Sequence, residues 1–133
     1  MIWFIIIGVA VCFIVKSSYQ SKPLPMSGDY NFDIVGEASY QDALDQLAGG
    51  KTDAGVHVQK LATLILEKNN PVDPNAVRVD IEGHTVGYLS RAHAVRFRKT
   101  INRSHCVAPA LITGGWNRAG SQGNYGVKLN FKF

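Results

Sequence analysis

At 133 residues the chain has room for one domain and an accessory segment, and not for two full domains. Its two cysteines, Cys12 and Cys106, exclude a disulfide-built scaffold and agree with a reducing compartment. The net charge of +4 hides a division: residues 1–83 carry six Lys/Arg and ten Asp/Glu, whereas 84–133 carry eight Lys/Arg and no acid. Mixed signs serve solubility, so an acid-free half-chain points to an anionic partner, nucleic acid first and lipid headgroups second.

Met1 to Val15 contains no charge, and its one polar side chain is the Cys12 thiol. A secretory signal needs a basic start and a small-x-small cleavage site, and a lipoprotein box would need a small residue where Val11 stands. The run therefore predicts an uncleaved transmembrane helix over residues 1–16, short beside the ~20 residues that span a bilayer and extended by a snorkelling Lys16. Lys16 and Lys22 follow it, which places the domain on the cytoplasmic side of the cell membrane. Residues 17–29 are polar and proline-containing and read as a linker.

The folded domain is expected over residues 30–133. Tyr30 to Val35 alternates as a first strand, ended by Gly36. Ser39 can cap a helix with Asp42 in the capping-box position, an apolar stripe of Ala43, Leu44, Leu47 and Ala48, and a Gly49-Gly50 stop. Val56 to Leu66, apolar on both faces, predicts a central strand.

Asn69 to Arg91 holds the densest local instruction. Asn70-Pro71 and Asp73-Pro74-Asn75 predict a compact turn, because proline fixes φ and Asn and Asp bond back to their own backbone. Val77, Val79 and Ile81 alternate with Arg78 and Asp80 as a strand; Glu82-Gly83 is a two-residue turn, and His84 to Leu89 returns. Ser90 caps a helix from Arg91 to Ile101, with Ala94, Val95, Phe97 and Ile101 as its apolar set. Arg91, Arg96, Arg98 and Lys99 are its cations, and Arg91 and Arg98 share a face. Val107 to Thr113 is a strand that Pro109 would confine to an edge or a bulge. A glycine-rich loop from Gly114 to Gly126 holds Trp116, Arg118 and Tyr125, and Val127 to Phe133 alternates as the last strand. Short strands in this number predict a mainly β (α+β) domain, a small antiparallel OB/SH3-like barrel of about six strands with two short helices.

The Asn-Pro turn, hairpin and Val-Gly-Tyr-Leu segment together resemble the core of the HIRAN domain, a small nucleic-acid-binding module found alone or attached to DNA-remodelling helicases and nucleases. Asn70, Pro71, Asp73, Asn75, Ala76, Val86, Gly87, Tyr88 and Leu89 carry the match. The resemblance runs from about Phe32 to Phe133 and implies a barrel related to OB and SH3-like folds. In helicase-attached members the pocket for a free 3′ DNA end uses Arg-Tyr-Tyr after the first strand's glycine, where this chain has Ala38, Ser39 and Tyr40. It also uses an aromatic residue and an Asp in the Asn-Pro turn, where this chain has Val72 and Asp73. The resemblance thus implies a pocket in which Ala38, Ser39 and Val72 stand where stacking or clamping groups would be, each stacked base being worth ~1–3 kcal/mol.

No residue pattern supports catalysis or a cofactor. The glycines lack a following Lys-Ser/Thr and helix, the histidines at 57, 84, 93 and 105 lack metal-ligand spacing, and Asp73, Asp80 and Glu82 belong to a turn and a strand. Cys106 has no histidine–carboxylate partner and reads as a strand residue. The expected function is a non-enzymatic nucleic-acid-binding module tethered to the membrane, taking single-stranded DNA or DNA ends. Its expected contacts are Tyr40, Asp73, Tyr88, Arg91, Arg98, Trp116 and Arg118, with Tyr125, Lys51 and Arg96 as further candidates. A protein partner with helicase or nuclease activity is a further expectation. A protein- or lipid-interaction barrel at the membrane surface is the alternative.

Overall fold

Alternation of buried and part-exposed side chains builds the sheet. In strand β4 (Val77–Ile81) the three apolar residues are fully buried, and Arg78 and Asp80 face outward to pair with each other at 3.0 Å. The computed structural model describes residues 22–133. The expected anchor and Lys16 lie outside these residues, and among the described ones no helix is long and apolar enough to cross a membrane.

In chain order the elements are β1 (Lys22–Pro23), β2 (Phe32–Asp33), a 3-10 turn (Glu37–Tyr40), α1 (Gln41–Ala48), β3 (Val58–Leu66), β4 and β5 (His84–Tyr88). They continue with α2 (Arg91–Thr100), β6 (Cys106–Gly114), β7 (Asn117–Arg118), β8 (Ser121–Gln122) and β9 (Tyr125–Leu129). The sheet runs β2-β9-β6-β3-β4-β5, its ladders antiparallel, with β1 lying parallel beside β6. The predicted six-strand, two-helix, mainly β domain is therefore present as a curled sheet. It is a half-barrel rather than a continuously closed barrel: its two ends meet at one bridge, where Val35 and Tyr88 exchange both backbone hydrogen bonds at 2.8 Å. Gly36, at φ 84°, then turns the chain into the 3-10 turn, so no longer ladder can form there. The core joins Leu64, Val79, Ile112 and Leu129 of the sheet to Leu44 of α1 and Phe97 of α2. Phe131 belongs to that core and clusters edge-on with Phe32 and Phe133 at its margin, at 4.6 to 5.9 Å between centroids.

Several sequence expectations are corrected. The first strand is confined to Phe32–Asp33 and the last ends at Leu129. Ser39 does not cap α1: its N–H bonds Gly36 O within the 3-10 turn, and the Gln41 side chain instead ties the helix start to Tyr125 of β9 at 2.8 and 3.0 Å. Val95 is exposed, because the covered stripe of α2 runs through Ala94 and Phe97. Pro109 sits in the central strand β6. Its nitrogen faces the side where Leu24 N bonds Val107 O and Asn130 N bonds Pro109 O, so the missing N–H falls between two partner segments. Part of the expected linker joins the sheet: Leu24 is buried, and Ser27 and Gly28 donate to Asn130 Oδ1.

Candidate nucleic-acid interface

The Asn-Pro turn is built by its own side chains. Asn70 Oδ1 accepts from the backbone of Val72 (2.9 Å) and Asp73 (3.0 Å), and Asp73 Oδ1 accepts from Asn75 N at 2.9 Å. Asn70 also donates to Glu67 Oε1 at 3.0 Å. Asn70 thus carries more of the turn than Asp73 does. Asn70→Ala should cost about 1–2 kcal/mol, and Asp73→Ala about 1 or less, in thermal melts. Equal melting points for the two variants would contradict this order.

Between this turn, the end of β5 and the start of α2 lies a pocket of about 310 Å³. Its walls are apolar: Val35, Val72, Ala76 and Leu89, with Val35 and Val72 45% and 75% exposed. Its polar groups are Asn70, Asp73, Tyr88 and Arg91. The second Asp73 carboxylate oxygen and the exposed Arg91 guanidinium make no hydrogen bond or ion pair among the described residues. Ser90 Oγ caps α2 by accepting from His93 N at 3.2 Å, and this fixes where Arg91 leaves the helix. Burial, then the neighbouring Glu67 carboxylate and the Tyr40 phenol, raise the Tyr88 phenol well above the ordinary range, so it stays protonated. Burial alone would raise Glu67, but Asn70, Tyr88 and Arg78 outweigh it and hold the carboxyl below its usual value. Glu67 is therefore a fixed anion behind the pocket, linking β3, the turn and β5.

The structure brings Asp73, Tyr88 and Arg91 to one pocket and sets Tyr40 beside Tyr88. The other expected contacts lie elsewhere. Arg98 clasps the turn from behind: Nε donates to Asn75 O (2.8 Å) and Nη2 to Glu67 O (2.8 Å) and Ala76 O (3.0 Å). Trp116 is part of its own hairpin, with the Arg118 guanidinium over its ring at 4.7 Å and Gly123 packed against its indole edge. Arg118 lines a separate polar surface around Asp53 and Gln122, and Lys51 donates to Gln122 Oε1. Arg96 lies over the Phe133 ring at 4.3 Å. Tyr125 is a core residue, 3% exposed, its hydroxyl bonded to Asp45 at 2.6 Å. Burial raises it to about 12, with Asp45 adding to the effect.

Val35 and Leu89 line the pocket, and sequence reasoning did not place them there. Val35 reaches the pocket through the bridge that closes the sheet, a pairing with no local signal. Among the described residues no His, Cys, Asp and Glu gather as a metal cluster. Burial also pushes the Cys106 thiol up, with Arg103 only partly opposing, which disfavours the thiolate.

No curated protein and no solved structure matches the chain. The HIRAN domain model does match, over residues 27–132, a span that includes the whole pocket. By that match the chain belongs to the HIRAN domain family.

Proposed function

We propose that this chain is a non-enzymatic nucleic-acid-binding module that receives a single strand or a DNA end in the pocket between the Asn-Pro turn and α2. The HIRAN domain suggests nucleic-acid binding in general. The narrower reading rests on one observation: a single pocket collects the Tyr88 ring, the unpaired Arg91 cation and a free Asp73 oxygen. Arg91 would hold a phosphate, Tyr88 would offer a stacking face, and Asp73 would accept a hydrogen bond from a terminal sugar hydroxyl. Tyr40 would extend the stacking face. A 3′-phosphate would meet the Asp73 carboxylate, so a 3′-hydroxyl end is the preferred ligand. The segment of residues 1–16, with its apolar run over residues 1–15, would tether the module to the membrane, with the domain on the cytoplasmic side.

Fluorescence anisotropy of residues 17–133 with single-stranded, double-stranded and 3′-phosphorylated DNA tests this. Arg91→Ala should weaken binding and make the slope of log K against log salt shallower by about one phosphate contact, with the melting point unchanged. An unaltered slope would remove Arg91 from the interface. The exposed Val35 and Val72 favour a second reading, a pocket for an apolar protein side chain. That reading takes over if the domain shows no salt-dependent DNA binding at low ionic strength.

A further inference from the structure

We infer that the domain rests on the membrane through the cationic surface of Lys68, Lys99 and Arg103, with anionic lipid headgroups as its ligand. The inference depends on the reading of residues 1–16 as an anchor. It adds which face of the domain meets the bilayer.

The path of the main chain selects this face. β1 pairs in parallel with β6, Lys22 opposite Cys106 and Pro23 opposite Val107. Because the strands are parallel, Lys22 enters β1 at the end where Cys106 begins β6, beside the turn between α2 and β6. Leu24, buried and bonded through its N–H to Val107 O at 2.8 Å, fixes the exit. Six residues, Lys16 to Ser21, separate the apolar run from β1. Fully extended they reach at most about 20 Å, so this end of the domain stays close to the bilayer.

That end is cationic. Leu66 N donates to Ser104 Oγ at 3.3 Å, and Arg98 holds Glu67 O, so Lys68 is drawn to the same end as Lys99 and Arg103. All three cations are exposed and make no hydrogen bond or ion pair through their side chains among the described residues. Glu67, the acid nearest in sequence to Lys68, is engaged by Arg78 and Asn70. A nucleic acid could also use such a patch, but Lys99 lies eight residues along α2 from Arg91, about 12 Å of helix rise. Lys99 and Arg103 thus lie toward the end of α2 away from the Arg91 side of the pocket, and headgroups bound to them would leave Arg91 free. Each cation near an anionic leaflet is worth about fivefold in the docked-to-undocked ratio.

The full chain reconstituted in vesicles of phosphatidylcholine, with or without phosphatidylglycerol, provides the test by hydrogen exchange. Peptides over residues 99–105 should exchange more slowly when phosphatidylglycerol is present. The protection should fade with salt and drop about 25-fold in the Lys99→Gln/Arg103→Gln variant, while residues 70–75 exchange alike in both lipids. Equal exchange of 99–105 in the two lipids by a chain that survives an alkaline wash would overturn the inference and leave the anchor reading standing. Loss of the chain in that wash would defeat the anchor reading and this inference with it. Protection that appears only when an oligonucleotide is added would reassign the patch to nucleic acid.

Discussion

Arg98→Ala should destabilise the domain by about 2–3 kcal/mol, the largest effect expected of any single surface cation. The guanidinium makes three hydrogen bonds to the carbonyls of Glu67, Asn75 and Ala76, which belong to the two ends of the Asn-Pro turn. One planar group therefore holds α2 against both ends of the segment that forms the pocket wall. Ala76 O keeps its bond from Glu67 N at 3.0 Å, and water can reach part of the rest, which sets the upper limit. For a domain of this size the melting temperature should fall by roughly 10 °C or more. Arg98→Lys should recover little, because an ammonium on a flexible stem cannot reproduce the fork. Nucleic-acid binding should fall in parallel with folding and show no separate loss of salt slope. A variant with the wild-type melting point and a slope reduced by one would return Arg98 to the role its position on the helix first suggested, a phosphate contact.

What could be read in the sequence was the structure that residues make with their own neighbours. Asn70, Asp73, Ser90 and the Glu82-Gly83 turn act within three residues of themselves, and each does in the fold what its chemistry predicts. β4 followed from alternation, β5 from the Glu82-Gly83 turn that sends the chain back, and the central place of β3 from apolar residues on both its faces. Several failures share one cause, a partner distant in sequence. Ser39 lost the helix start to Gln41, whose amide finds Tyr125 84 residues away. Tyr125 left the list of ligand contacts because Gly115 lets its ring pack against the backbone and Asp45 receives its hydroxyl. Pro109 correctly signalled a missing donor, but only the tertiary arrangement shows that two partner segments stop short of it. Seven-residue spacing put Arg91 and Arg98 on one helix face, yet that face borders the pocket at one end and the back of the turn at the other. That Asp73, Tyr88 and Arg91 come to one pocket follows from a turn, hairpin and cap that are consecutive in the chain. Val35 was not legible there, since it arrives from the far edge of the sheet.

That arrival explains the glycine of the Val-Gly-Tyr-Leu segment and sets the second large expectation. Gly87 has no positive φ, so alanine there meets no backbone penalty of its own. A Cβ at that position would lie 2.6 Å from Val35 O and 2.9 Å from Ile34 Cδ1, and the first of these is backbone that cannot swing aside. The carbonyl in question also accepts Tyr88 N at 2.8 Å, half of the bridge that joins the two ends of the sheet. Gly87→Ala must therefore push β5 away from Val35 or abandon the bridge, at about 2–3 kcal/mol. Gly83→Ala supplies the contrast: φ is 80° and nothing lies within 4 Å, so its cost is left-handed backbone strain alone, about 1 kcal/mol. Val35 and Tyr88 both line the pocket, so only the Gly87 variant should also lose ligand affinity at temperatures where it remains folded. Urea unfolding of both variants, with DNA anisotropy on the folded fraction, separates the two mechanisms. Equal destabilisation, or a Gly87→Ala protein with native stability and binding, would mean that the sheet ends are not held together by this contact.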